Sequence, residues 1–160
     1  MNIYLLRHGE AEARAHNDPA RQLTARGKLE IEQVAQQFAA RDIRLDRCLA
    51  SPYLRASQTA SLFLRFTAPD LPVETADILT PEVRASAVMD FLDGMREQHV
   101  LLVSHNPLLS ELCALLTDGD ISHMHILRTS ELVCVAFEVM GLGMATTPFR
   151  LLPEALTWHS

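Results

Sequence analysis

Tyr4-Leu5-Leu6-Arg7-His8-Gly9 runs from apolar residues straight into a cation and an imidazole. A short apolar run of this kind reads as a buried strand. Its abrupt polar end puts Arg7 and His8 at the carboxyl edge of a sheet, where open α/β folds bind ligands. The histidine is expected to be presented there, not packed. The pattern recurs twice, where Cys48-Leu49-Ala50 runs into Ser51-Pro52-Tyr53-Leu54-Arg55 and where Val100-Leu101-Leu102-Val103 runs into Ser104-His105-Asn106-Pro107. Three strand ends therefore carry two arginines and two histidines between them.

In the two later segments a proline stands where a helix should begin, Pro52 after the capping candidate Ser51 and Pro107 after the capping candidate Asn106. A helix start leaves unpaired amides and the positive end of the peptide dipole facing outward, which suits an anion. Phosphate is the natural guest. The rigid donor fork of arginine matches phosphate oxygens, so Arg7 and Arg55 can hold two of them while a protonated His105 shares the third. His8 is then left to attack, provided it is neutral on the attacking nitrogen, and a backbone carbonyl on its other ring nitrogen would fix that tautomer.

These motifs give the chain its resemblance to the histidine phosphatase superfamily, the phosphoglycerate mutase-like fold, and within it to the small SixA-type phosphohistidine phosphatases. The matching pieces are Leu6-Arg7-His8-Gly9-Glu10, Leu23-Thr24-Ala25-Arg26-Gly27, Ser51-Pro52-Tyr53-Leu54-Arg55-Ala56-Ser57-Gln58-Thr59-Ala60 and Val103-Ser104-His105-Asn106-Pro107. The resemblance implies that His8 is the phosphoryl-accepting nucleophile and that Arg7, Arg55 and His105 complete the phosphate pocket, with Gly9 and Asn106 as further binding positions. Asn106 departs from the pattern, because many relatives carry glycine after the second histidine.

The composition narrows the alternatives. At 160 residues the chain fits one domain, 1–160, and 48% hydrophobic with 21% charged residues is an ordinary globular balance. No apolar stretch approaches the roughly 18 residues of a membrane span, and Arg7 interrupts the opening run too early for a signal peptide, so a cytoplasmic setting is expected. A net charge of −6 argues against a nucleic-acid surface. Cys48, Cys113 and Cys134 form no CxxC pair and lie in apolar segments, as buried reduced thiols do.

Along the chain, Glu10 to Leu23 reads as a loop beside His8, and Thr24 opens a helix whose apolar positions Ile31, Val34, Ala35 and Phe38 share one face. Gly27 lies on that face one turn earlier, where a close approach to the sheet is expected; Leu23-Thr24-x-x-Gly27 is otherwise a capped helix start. A second helix begins at Ser51, with Ala56, Ala60, Phe63 and Phe66 along one side and Arg55 off that stripe. Thr67 to Pro81 reads as connection with a short extended piece around Leu71 to Glu74. A third helix carries Val88, Phe91, Leu92 and Met95, and a fourth spans Pro107 to Leu116. Leu132 to Val139 and Met144 to Leu152 read as an edge hairpin through Gly141-Leu142-Gly143. Alternating strands and helices indicate an α/β fold, a three-layer α/β/α sandwich with a mostly parallel central sheet and an antiparallel edge.

Other candidates are weaker. His123-Met124-His125 alternates like a ligand pair but lacks the further ligands a metal needs, so no metal or other cofactor is expected and a polar face near the cleft is preferred. His16, His99 and His159 read as solvated loop or tail residues. For a general acid, Glu82 follows Pro81 at the start of the third helix, a region where the superfamily often places its acid; the competing reading is a first-turn carboxylate on the helix dipole. Glu10 and Asp18 compete for the same role from the first loop. Larger members of the superfamily insert long segments after the second helix that cap the pocket, and this chain spends only a short stretch there, so the resemblance implies an uncapped site that can admit a side chain of another protein. The resulting expectation is a metal-independent phosphatase acting on phosphohistidine of a partner protein such as a histidine phosphotransfer domain. The alternatives are a small-molecule phosphomonoesterase for sugar or nucleotide phosphates, and a phosphate-binding module without turnover.

Overall fold

A computed structural model describes residues 1–154. The opening run is β1 (Asn2–Arg7), followed in chain order by β2 (Arg47–Ala50), β3 (Val73–Thr75), β4 (His99–Ser104), β5 (Leu132–Ala136) and β6 (Arg150–Leu151). They form one sheet in the order β3-β2-β4-β1-β5-β6. The first four strands are parallel, and β5 runs antiparallel to β1, with β6 antiparallel to β5. β1 is central and covered on both sides, which is why its sequence is continuously apolar instead of alternating.

Alternate side chains of the sheet feed two cores. Ile3, Leu5, Val100, Leu102, Val133 and Val135 pack against α3 (Ala85–Asp93) and α4 (Leu108–Asp118). Tyr4, Leu6, Leu101, Val103 and Cys134 face α1 (Ala25–Ala39) and α2 (Leu54–Thr67). Each of these larger aliphatic side chains stabilises by about 1.5–3 kcal/mol when fully buried. The sandwich thus has helices in pairs on both faces, as the strand–helix alternation indicates. The free cysteines Cys48, Cys113 and Cys134 are all buried. Among the described residues no helix is long and apolar enough to cross a membrane.

α1 follows the sequence closely. Thr24 Oγ1 accepts from Gly27 N at 3.0 Å, and Ile31, Val34, Ala35 and Phe38 are fully buried. The close approach at Gly27 is to the main chain of Glu10, not to the sheet: a Cβ there would lie 2.3 Å from the Glu10 carbonyl oxygen. The other helix starts differ from expectation. α2 begins at Leu54 with Tyr53 at its cap, and α4 begins at Leu108 with Pro107 at its cap. Ser51 and Asn106 do not cap because their side chains are engaged elsewhere in the site. α3 ends before Met95, and its Phe91 is exposed while Val88 and Leu92 are buried.

The edge hairpin is shorter than its sequence suggests. β6 keeps two residues, and a lone bridge joins Ala136 to Thr146. Between them Gly143 N and Ala145 N donate to the carbonyls of Leu115 and Leu116, so the connection docks on the end of α4 instead of continuing a ladder. His99 also departs from the solvated loop reading: it opens β4, and its Nδ1 lies 2.7 Å from the Tyr4 hydroxyl. His159 lies outside the described residues.

Candidate active site

β2, β4 and β1 are neighbours, and their carboxyl ends are level, with Arg7 opposite Ser104 and Ala50 opposite Val103. His8 N donates to Ser104 O and Ser51 N to Val103 O, both at 3.0 Å, which carries the ladders one residue further. His8, Ser51 and His105 consequently stand side by side on three strand ends.

The local chemistry selects one tautomer of His8. Its Nδ1 lies 2.7 Å from Gly9 O and donates to it. Arg55 Nε donates to His8 Nε2 at 3.3 Å, so that nitrogen carries the lone pair. Burial pushes the imidazole down to about 4, the Arg55 and Arg7 charges add to the shift, and the Gly9 bond opposes it. At 8% exposure the ring is more enclosed than a freely presented side chain, and it is neutral at pH 7.

Arg55 is held from both ends. Thr59 Oγ1 donates to Arg55 O at 2.7 Å and accepts from Gly9 N at 3.1 Å, stitching the first turn of α2 to the chain leaving β1. The outer nitrogens Nη1 and Nη2 donate to Asp18 O at 3.0 Å and Asp18 Oδ2 at 3.3 Å. Asp18 opens a 3₁₀ turn, Asp18–Ala20, in the first loop. Its carboxyl is held below the usual range, chiefly by the hydrogen bond from Arg21 and further by Arg55.

His105 is 1% exposed, with its ring centroid 5.2 Å from that of His8. Its Nε2 lies 2.7 Å from Ser51 Oγ, and that oxygen already accepts from Tyr53 N at 3.3 Å. The serine hydroxyl keeps both its hydrogen and a second lone pair, so it can pair with Nε2 in either tautomer of His105. Among the described residues, His105 Nδ1 and Arg7 Nε are buried without a hydrogen-bond partner. Burial first, then His8 and the Arg55 charge, pushes His105 down to about 3. Burial, His8 and the Arg55 charge thus disfavour the imidazolium expected at His105.

The four residues picked from the strand ends are together, and most of the other candidates are hydrogen-bonded elsewhere. Glu82 is exposed and accepts from Thr80 Oγ1 at 3.0 Å; among the described residues no hydrogen bond joins it to the histidines or arginines. Glu10 accepts from Thr24 Oγ1 at 2.9 Å, at the start of α1. Gly9 spends its N–H on Thr59 and its carbonyl on His8, so it orients the site and offers no free amide to an anion. Asn106 donates from Nδ2 to Leu127 O at 2.8 Å and accepts Ser110 Oγ at 2.7 Å on Oδ1. His125 Nε2 lies 2.8 Å from Glu131 Oε1, and His123 is exposed. Among the described residues no three His, Cys, Asp or Glu side chains are placed to share a metal ion.

The histidine phosphatase superfamily (branch 1) pattern matches residues 3–81, which include the first two of these strand ends. A phosphohistidine phosphatase SixA homolog of Haemophilus influenzae is 38% identical over 126 residues, 71% of this chain and 76% of that protein. The chain belongs to the histidine phosphatase superfamily. Phosphohistidine phosphatase SixA of Escherichia coli K12 is 32% identical over 151 residues, covering 89% of each chain. The solved structure of a protein histidine phosphatase SixA complexed with tungstate is 28% identical, covers 96% of this chain and 97% of its own, and superposes with a TM-score of 0.87. This histidine phosphatase is SixA-like in sequence and in fold.

Several parts of its site escape sequence reading. Ser51 was legible only as a helix cap, although it is the hydrogen-bond partner of His105. Tyr53, whose ring centroid lies 5.0 Å from that of His105, gave no signal beyond its place between two motifs. Glu131, 1% exposed at the start of β5, is visible in the sequence only as one acid before an apolar run. Burial and Arg55 draw the Arg7 guanidinium below its ordinary pKa, and Glu131 opposes that shift.

Proposed function

We propose that this histidine phosphatase, as one domain without a lid, removes phosphate from phosphohistidine on a partner protein without a metal, through a phosphohistidine of its own. The observation that carries this reading is the tautomer of His8, with Nδ1–H on Gly9 O and the Nε2 lone pair directed toward Arg55. In the first step Nε2 gives up the Arg55 hydrogen bond and a P–N bond forms there as the P–N bond to the substrate imidazole breaks. Arg7, Arg55 and the His105 N–H neutralise charge on the equatorial oxygens, the electrostatic work that dominates phosphoryl transfer. Water then attacks the phosphohistidine, and His8 leaves with its electron pair.

Leaving-group chemistry favours phosphohistidine over an ester. An alkoxide needs a positioned proton, whereas an imidazole protonated on its far nitrogen departs neutral. Asp18, the carboxylate bonded to Arg55, is held ionised and has no proton to give, and Glu82 is bonded to Thr80 at the surface. Only residues 68–84 connect α2 to α3, and the shortness of that connection supports a substrate side chain carried on a histidine phosphotransfer domain. Three buried free thiols suit a reducing, cytoplasmic setting.

The test compares a phosphorylated histidine phosphotransfer domain with a panel of sugar and nucleotide phosphates in the presence of excess EDTA. Turnover of the phosphoprotein is expected, together with an acid-labile, base-stable phosphoenzyme that His8→Ala does not form. Efficient ester hydrolysis with no action on phosphohistidine would reverse the substrate assignment. Loss of activity in EDTA, restored by a divalent ion, would overturn the metal-free mechanism.

A further inference from the structure

Arg7 is fastened at a point far from it in sequence. Its Nη1 donates to Leu127 O at 2.8 Å, and the same carbonyl accepts from Asn106 Nδ2 at 2.8 Å. Ser110 Oγ accepts from Leu127 N at 3.0 Å and donates to Asn106 Oδ1 at 2.7 Å. Both polar main-chain groups of Leu127 are thus tied to the turn into α4 and its first turns. The residues flanking Leu127 are tied to one carboxylate: Glu131 Oε2 accepts from Arg128 N at 2.7 Å, and Oε1 lies 2.8 Å from His125 Nε2 and 3.5 Å from Arg150 Nη1.

The main chain of this turn also grips β1. Arg7 N donates to Glu131 O at 3.1 Å, and Ser130 N lies 3.2 Å from the carbonyls of both Arg7 and His8. Ser130 holds a left-handed conformation, φ 63°, which a non-glycine residue adopts only where its surroundings dictate it. A buried carboxylate is costly unless paired, and an apolar residue would continue the Leu132–Ala136 strand more simply. Its placement calls for another explanation than core stability.

We propose that Glu131 is a positioning residue that clamps residues 125–128, so that the Leu127 carbonyl, secured on its other side by Asn106 and Ser110, holds the Arg7 guanidinium in its phosphate-binding orientation. This rests on the reading of Arg7 as part of the phosphate pocket. One Nη1–H is spent on the anchor, and the rest of the donor fork is left aligned for the phosphoryl oxygens. The clamp also accounts for His125 as a partner of Glu131, and for Asn106 as a residue that orients Arg7 and is not itself a phosphate ligand.

The experiment is a set of double-mutant cycles read by orthovanadate affinity, measured calorimetrically so that no substrate is needed. Glu131→Ala and, as a milder second cut, Ser110→Ala should each weaken binding about tenfold to a hundredfold, the scale of a misplaced binding group. Glu131→Gln retains an oxygen for Arg128 N and should stay within about threefold of wild type. In an Arg7→Ala background both alanine substitutions should change affinity by less than about twofold. Equal losses in the two backgrounds, or no loss with intact Arg7, would overturn the clamp. If Arg7→Ala alone leaves vanadate affinity unchanged, the phosphate-pocket reading of Arg7 fails instead.

Discussion

His8 and His105 begin from the same ordinary pKa of about 6.5 and end, 5.2 Å apart, at about 4 and about 3. Burial and two arginines outweigh every group that would favour a proton, so attack needs no prior deprotonation at neutral pH. Ring ¹⁵N spectra should show both imidazoles neutral from about pH 7.5 down to about 5.5, with His8 protonated at Nδ1; a midpoint near 6.5 would refute the burial argument. Arg55→Lys keeps a charge but loses the fork that reaches both His8 and Asp18. A fall in kcat of order tenfold to a thousandfold is expected, and unchanged kinetics would remove Arg55 from the pocket. Glu82→Gln should alter phosphohistidine turnover by less than about twofold, because its carboxylate is exposed and bonded to Thr80.

Helices place these residues through close contacts at their first turns. Thr24 was legible as a cap because a hydroxyl three residues before a glycine amide is a local pattern, and α1 obeys it. The prolines after Ser51 and Asn106 mislead as signals of capping, since the polar atoms of these two residues bind His105 and the Leu127–Ser110 pair. Gly27 shows how tightly α1 meets the chain that follows the nucleophile, since a Cβ there would meet Glu10 O at 2.3 Å, Glu10 N at 3.0 Å and no flexible side-chain tip. Gly27→Ala should therefore cost about 1–3 kcal/mol, seen as a lower urea midpoint, and should slow turnover by shifting Glu10 and the neighbouring Gly9. A variant with the wild-type midpoint would show that this backbone yields freely.

At the scale of the molecule, burying two neutral imidazoles ties stability to pH. Their folded pKa values lie below the unfolded value, so between about pH 6.5 and 4 the unfolded chain takes up protons that the native state refuses. Stability is full above about pH 7 and falls with acidification, with His8 alone accounting for about 3 kcal/mol by pH 4. His8→Asn should flatten the pH dependence of the unfolding free energy over that interval; an undiminished slope would place the proton uptake elsewhere. The fold and the four central groups were readable beforehand because strand length, helical periodicity and abrupt apolar-to-polar junctions are local properties of a few adjacent residues. What Asn106, Ser51, Asp18, Glu82 and Glu131 do was decided by packing alone. Arg7 and Leu127 stand 120 residues apart. No spacing rule in a linear chain records which carbonyl will meet an arginine at that distance, because the meeting exists only once both faces of the sheet have been covered.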